Sequence, residues 1–227
     1  MKRYAVYYAP AQEEPLTAAA SSWLGRCVFT GAALPRPQAD GISHEEWESI
    51  TADPRVYGFH ATLKPPFRLA EGRDAGELID RLRHFAASRR PFEVSLEVGS
   101  LAGFLALVLS HPSPDFVQLA ADCVREFDEF RASPHPEELA GRRQARLNPA
   151  QKAYLTRWGY PYVMEEWRFH MTLTASLNPP ALERASRYLT AVFEPICGQP
   201  LRVDSICLFE QPESGAPFLA RGRFPFA

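Results

Sequence analysis

The chain has 227 residues, 46% hydrophobic and 23% charged, which is the balance of a globular protein able to bury one large core or two tightly packed lobes. A formal net charge of −2 argues against coating long nucleic acid by charge alone, yet leaves room for a small basic pocket. No run approaches the roughly 18 apolar residues of a membrane helix, and the N-terminus lacks an export signal, so a cytoplasmic protein away from membranes is expected.

In chain order, Tyr4 to Ala9 reads as a strand and Pro15 to Leu24 as a helix with Trp23 and Leu24 inward. Residues 31–42 read as a loop, and His44 to Ala52 as a short helix capped by Ser43. Tyr57 to Lys64 is a strand. Asp74 to Ser88 is an amphipathic helix with Leu78, Leu82 and Phe85 at helical spacing. Phe92 to Val98 and Phe104 to Leu109 are strands, followed by a helix from Asp115 to Phe130. After a link over 131–148 come a helix (Pro149 to Trp158), a strand (Trp167 to Thr174) and a helix (Pro180 to Phe193). Two strands close the chain, Leu201 to Phe209 and Phe218 to Phe224. The prolines that cluster at 35–37, 65–66 and 179–180 punctuate these elements rather than mark disorder. Cys27, Cys123, Cys197 and Cys207 form no C-x-x-C pair and read as free thiols.

The pattern F-H-x-T-L occurs twice, as Phe59-His60-Ala61-Thr62-Leu63 and Phe169-His170-Met171-Thr172-Leu173. With six histidines in the chain, chance supplies about 0.2 H-x-T triplets. Each copy precedes a proline-containing stretch, a helix and two strands, so the chain reads as two related halves offset by about 110 residues. Residues i and i+2 of a strand share a face. His60, Thr62 and Lys64 therefore point one way, as do Arg168, His170, Thr172 and Thr174. Phe59, Ala61, Leu63, Phe169, Met171 and Leu173 take the opposite, dry faces. Imidazoles can take and give protons near neutral pH, threonine hydroxyls can donate to phosphoryl oxygens, and Lys64 and Arg168 can offset the charge there. Two imidazoles on opposite sides of phosphorus suit an in-line displacement. The competing structural reading makes both histidines half-buried sheet residues. A metal site would need three or four convergent ligands, and no H-x-H, H-x-x-x-H or H-E-x-x-H pattern is present. No metal or cofactor is expected.

On these motifs the sequence resembles the 2H phosphoesterase superfamily, which carries two H-x-[TS] motifs on strands of two pseudo-symmetric lobes. The stretches Arg3 to Pro10, Tyr57 to Phe67 and Arg157 to Thr174 resemble, more closely, a bacterial branch found with phosphonate-utilisation genes. The resemblance implies an α+β fold of two pseudo-symmetric lobes, each an antiparallel-type sheet with flanking helices, around a central cleft in one bilobal domain over residues 1–227. It implies His60 and His170 as the catalytic pair and Thr62 and Thr172 as phosphate ligands. Strand geometry adds Lys64, Arg168, Thr174 and Tyr7. The implied activity is metal-free opening of a small ribosyl cyclic phosphate, such as 5-phosphoribosyl 1,2-cyclic phosphate from phosphonate breakdown. Alternatives are a 2′,3′-cyclic phosphodiesterase or ligase acting on an RNA end, and a non-catalytic binder of a nucleotide or phosphometabolite.

The remaining histidines, His44, His84, His111 and His135, have no matching partner and read as surface or structural. Arg142, Arg143 and Arg146 form a basic run, either a solvated loop or a lid over phosphate. Trp158, Tyr160 and Tyr162 read as core beneath the second motif rather than as a base-stacking platform.

Overall fold

Local chemistry sets most helix ends. Asp74 and Glu77 form a reciprocal capping box, each carboxylate accepting the other's backbone N–H, and Asn148 and Gln151 do the same with their amide oxygens. Ser43, Ser113 and Asn178 cap three further helices through single side-chain bonds. The computed structural model describes residues 1–134 and 147–227, so His135, Arg142, Arg143 and Arg146 lie outside the described residues.

The first part of the chain contains β1 (Arg3–Tyr8), α1 (Pro15–Leu24), α2 (His44–Tyr57), β2 (Ala61–Phe67) and α3 (Ala75–Ala87). It continues through β3 (Phe92–Val94), β4 (Leu96–Leu101), β5 (Phe104–Leu109) and α4 (Pro114–Glu126). Then come α5 (Pro149–Trp158), β6 (Met171–Thr172), α6 (Pro179–Cys197), β7 (Leu201–Val203), β8 (Ser205–Gln211) and β9 (Leu219–Pro225).

The class is α+β. Seven strands form one antiparallel sheet in the order β4-β5-β6-β2-β1-β8-β9, and β3 pairs separately with β7. The two motif strands are neighbours at its centre, joined at Ala61↔Met171. The halves are not drawn in chain order, however. The hairpin β4–β5, which follows the first motif, lies beside the second motif strand β6. The strands β8 and β9, which follow the second motif, continue the sheet beyond β1, on the first motif's side. The single expected strands over 92–98 and 201–209 each break, at Ser95 and Asp204, so that their first parts can pair as β3–β7.

One sheet face is dry. Tyr4, Val6 and Tyr8 of β1, Leu63, Leu105, Leu107, Met171 and Leu208 join the main core with Leu78, Leu82 and Phe85 of α3, Phe116 of α4 and Leu189 of α6. Each buried Leu or Phe contributes about 1.5–3 kcal/mol. The opposite face carries a smaller cluster of Ala5, Tyr7, Cys207, Phe209 and Phe218, beside which the cleft opens.

Two departures from the sequence expectation have local causes. Helix α2 runs past Pro54 to Tyr57 rather than ending at Ala52. Proline removes the N–H that would bond the Ile50 carbonyl, and the Ala175 N–H takes that carbonyl instead at 2.6 Å. Strand β6 is only two residues long, not eight. Indole N–H groups take over strand carbonyls here: Trp167 donates to Thr62 and Trp23 to Leu173, both at 2.8 Å. All four cysteines are free thiols, as read from their spacing. No helix among the described residues is long and apolar enough to cross a membrane.

Candidate active site

Both motif histidines sit one residue before their strands begin, and both are held in the same way. His60 Nδ1 lies 2.9 Å from the Gly58 carbonyl and His170 Nδ1 lies 2.8 Å from the Arg168 carbonyl. A carbonyl only accepts, so each ring carries its proton on Nδ1 and leaves Nε2 as the free base. In His60 that nitrogen lies 3.2 Å from the Thr62 hydroxyl, which donates to it. Gly58 has φ +76°, and a Cβ there would come within 2.6 Å of Val28 Cγ2, so only glycine places this carbonyl under the ring.

His60, Thr62, His170 and Thr172 line one cavity of about 360 Å³. The two rings differ in their surroundings. His60 stacks on Tyr7, with ring centroids 3.7 Å apart and an interplanar angle of 19°, and Phe209 lies 6.0 Å away. His170 meets the edge of the Phe104 ring at 5.8 Å. Burial lowers the pKa of His60 to about 4, with the His170 charge adding to the effect. Burial also lowers that of His170. Both rings are therefore neutral in the free cleft at pH 7.

The strand-face reading places His60, Thr62, His170, Thr172, Thr174 and Tyr7 on the cleft, and it fails for Lys64 and Arg168. Lys64 does not join the cleft. It is 2% exposed, and its ammonium donates to the Val124 carbonyl at 3.0 Å and Asp128 at 3.2 Å, under the C-terminal end of α4. The cause is a bulge: Tyr7 pairs with Thr62 but Val6 pairs with Lys64, so Leu63 is the extra residue and Lys64 turns to the dry face. Burial brings its pKa down to about 8 despite Asp128. Arg168 is exposed and outside the cavity lining, because its guanidinium folds back onto the Glu165 and Trp167 carbonyls. Thr174 reaches the cavity wall, but its hydroxyl is engaged by the Leu105 N–H and the Ala175 carbonyl, so it ties β5 to the segment after β6. Tyr7 lines the cavity and is 1% exposed. It supports the His60 ring, and burial keeps its phenol protonated.

Sequence reasoning missed Arg3, which among the described residues is the cation that lines the cleft. Its register partner on β8 is Gln211, whose side-chain oxygen accepts from Arg3 Nε at 2.7 Å. Alternation from Tyr7 back to Arg3 was the available signal. Tyr57, Asp53 and Tyr160 also line the cleft; Tyr160 packs at the same time, with Trp158, against the small cluster of Ala121, Val124, Val163 and Met164, as the core reading expected, while Tyr162 is 46% exposed. Among the described residues no three His, Cys, Asp or Glu side chains gather as a metal would need.

Fold and site together define an α+β protein with two histidines held alike at Nδ1, each followed two residues on by a threonine, on adjacent strands lining one cleft. Residues 62–219 match the family described as "Protein of unknown function (DUF1045)", and the chain belongs to that family. It is 39% identical, over 235 aligned positions, to "Ribose 1,5-bisphosphate phosphokinase PhnN" of Janthinobacterium sp. (strain Marseille), covering 100% of this chain and 51% of that protein. The chain spans about half the length of the curated relatives it matches. Among solved structures, a conserved protein of unknown function, ATU0111 from Agrobacterium tumefaciens, aligns with TM-score 0.47 and 13% identity, covering 98% of this chain and 86% of that one. E. coli LigT complexed with 3′-AMP aligns with TM-score 0.42 and 12% identity, covering 100% and 98%.

Proposed function

We propose that this chain is a 2H-type phosphoesterase that opens a small ribosyl cyclic phosphate by attack of water. The observation that carries the reading is the matched hold on the two rings: each Nδ1–H is fixed by a carbonyl two residues back, and both rings border one cleft with both motif threonines. One Nε2 accepts a proton from water as its oxygen bonds to phosphorus. The other ring, protonated, gives its proton to the ester oxygen as the P–O bond of the ring breaks. The product is a phosphate monoester and a free hydroxyl. Thr62 and Thr172 donate to the non-bridging oxygens. An anionic phosphate raises the proton affinity of both imidazoles, so substrate itself helps charge the acid.

The ribosyl substrate is supported by the curated relatives, about twice this chain's length, whose name refers to ribose 1,5-bisphosphate. A cleft of about 360 Å³ suits a sugar phosphate. The test is 31P NMR of the chain in EDTA with ribose 1,2-cyclic phosphate, nucleoside 2′,3′-cyclic phosphates and short RNAs. Opening of the ribosyl ring in EDTA is expected. Turnover of RNA ends alone, turnover only with added zinc or manganese, or no turnover of any cyclic ester overturns the reading.

A further inference from the structure

Behind the two histidines, outside the cleft lining, sit two arginines that have no carboxylate partner among the described residues. Arg26 is 8% exposed, and its guanidinium donates to backbone carbonyls. Nε and Nη2 reach Arg55 at 3.1 and 2.8 Å, Nη2 also reaches Val56 at 3.2 Å, and Nη1 reaches Phe218 at 2.9 Å. Arg55 and Val56 stand three and two residues before Gly58, whose carbonyl holds His60 Nδ1. The guanidinium also lies against Gly58 itself, where a Cβ would come within 3.3 Å of Arg26 Nη2. Arg168 repeats the arrangement on the second motif. Its Nη1 donates to the Glu165 and Trp167 carbonyls at 2.9 and 2.8 Å, three and one residues before its own carbonyl, which holds His170 Nδ1 at 2.8 Å.

Both turns need such a donor. The carbonyls of a helix's last turn have no N–H within the helix to bond. Helices α1 and α5 close with left-handed Gly25 and Gly159. At the end of α2, Gly58 has φ +76° and ψ 178°, which departs from that closure. Its N–H takes the Pro54 carbonyl and the Phe218 N–H takes that of Val56, while Arg26 covers Arg55 and completes Val56. A cation there also meets the negative end of the helix dipole. The second turn is strained instead: Met164 has φ +54°, in the left-handed region that a non-glycine side chain resists. Arg168 closes on carbonyls just after it. Each guanidinium reaches a second support as well. Arg26 fixes Phe218, whose ring stacks on Tyr57 at 5.4 Å and borders Tyr7, the ring under His60, at 6.2 Å. Arg168 fixes Trp167, whose indole donates to the Thr62 carbonyl at 2.8 Å. Arg26 is itself locked in place, because Arg55 Nε donates back to the Leu24 carbonyl at 2.8 Å and ties the end of α1 to that of α2.

We propose that Arg26 and Arg168 are the paired positioning residues of the site, each clamping the turn whose carbonyl keeps the proton of one histidine on Nδ1. Neither touches substrate. A neutral imidazole takes its tautomer from the hydrogen bond that Nδ1 makes. A carbonyl that drifts lets the proton settle on Nε2 instead, and a ring protonated there cannot accept a proton from water. The hold on each ring stands on geometry alone; its effect on turnover rests on the phosphoesterase reading.

The test is long-range 1H–15N NMR of the histidine rings in the full chain without substrate, at pH 7. It compares wild type, Arg26→Gln, Arg26→Lys and Arg168→Gln, each with a thermal melt. Wild type should show His60 and His170 protonated on Nδ1. Either Arg26 variant should move His60 toward a mixture of tautomers and leave His170 as it was, and Arg168→Gln should do the reverse. Arg26→Lys keeps a cation at the buried end of α2 but lacks the fork that spans α2 and Phe218, so it decides the question where Arg26→Gln melts too early to be read. In turnover of ribose 1,2-cyclic phosphate, kcat should fall by roughly 10-fold or more, as for a misplaced reacting group, with KM within about threefold of wild type. Unchanged tautomers in folded variants overturn the proposal, as does a shift of both rings in every variant. A higher KM at unchanged kcat in Arg168→Gln also overturns it, since Arg168 would then be a phosphate ligand. Tautomers that shift as expected in a chain that opens no cyclic ester sink the phosphoesterase reading and leave the two clamps standing.

Discussion

His60 and His170 share a backbone hold and differ in surroundings. His60 lies flat on Tyr7 with Phe209 behind it, whereas His170 meets the edge of Phe104. The carbonyl just before each motif fixes what is local, ring orientation and tautomer, in the same way for both. Proton affinity is set by residues from elsewhere in the chain, Tyr7 on β1 and Phe209 on β8. Two copies of one motif thereby become two unequal groups, as a reaction that needs one base and one acid requires.

The largest expected effect comes from removing either ring. His60→Ala and His170→Ala should each lower turnover of the cyclic ester by at least roughly 10²-fold, the contribution of one general acid or base. Near-full activity in either would make that histidine structural. Thr62→Ala and Thr172→Ala each remove one hydrogen bond to a charged oxygen, worth about 1.5–3 kcal/mol. Losses of roughly 10- to 100-fold are therefore expected in kcat/KM, and equal activity of Thr62→Ala and wild type would remove that ligand.

Tyr7 sharpens the comparison because its stack is present on one side only. Tyr7→Leu should cost roughly 2- to 10-fold in kcat, the worth of one aromatic pair at about 0.5–1.5 kcal/mol, and Tyr7→Phe should restore most of it. If Phe is as poor as Leu, the hydroxyl rather than the ring is what matters.

The pH dependence follows from the direction of both shifts. Each imidazole is held below the ordinary 6.5, His60 at about 4. The bell in kcat/KM for the coupled pair should therefore centre on the acid side of 6.5, and the kcat bell should move up once phosphate is bound. Because the folded state favours the neutral rings, their contribution to stability is present above 6.5 and is lost as pH falls toward 4. NMR titration of the two imidazoles should find His60 the lower; the reverse order would break the asymmetry.

The smallest effect on activity is expected at Lys64. Lys64→Met should leave turnover within about twofold, yet lower stability by about 1–3 kcal/mol, because Asp128 and the Val124 carbonyl lose a buried partner. A large loss of turnover with an unchanged melt would return Lys64 to the cleft.

Lys64 also marks where the sequence stops being readable. The motif faces were legible because alternation holds from Phe59 to Leu63, and the start of α2 was legible because its cap Ser43 acts within one turn. One inserted residue at Leu63 then reverses the pleat, and a bulge has no signature in a run of plausible strand residues. The length of β6 was illegible because indoles from residues 23 and 167 replace ladder bonds, and the extent of α2 because residue 175 satisfies the carbonyl that Pro54 strands. Arg3 was legible as to face, by alternation from Tyr7, but the partner that holds it comes from the pairing of β1 with β8, some 200 residues away in sequence. The exchange of strands between halves is likewise a matter of pairing rather than of local pattern.

The central claim is that the two rings act as one phosphoesterase centre. A double-mutant cycle tests it most directly: turnover of ribose 1,2-cyclic phosphate by wild type, His60→Ala, His170→Ala and the double variant, with a thermal melt of each. If the rings act as one unit, the double variant is no more than a few-fold below the worse single, and all four melts agree to within a few degrees. Losses that multiply in the double variant, or a single variant that keeps wild-type turnover, would contradict the claim.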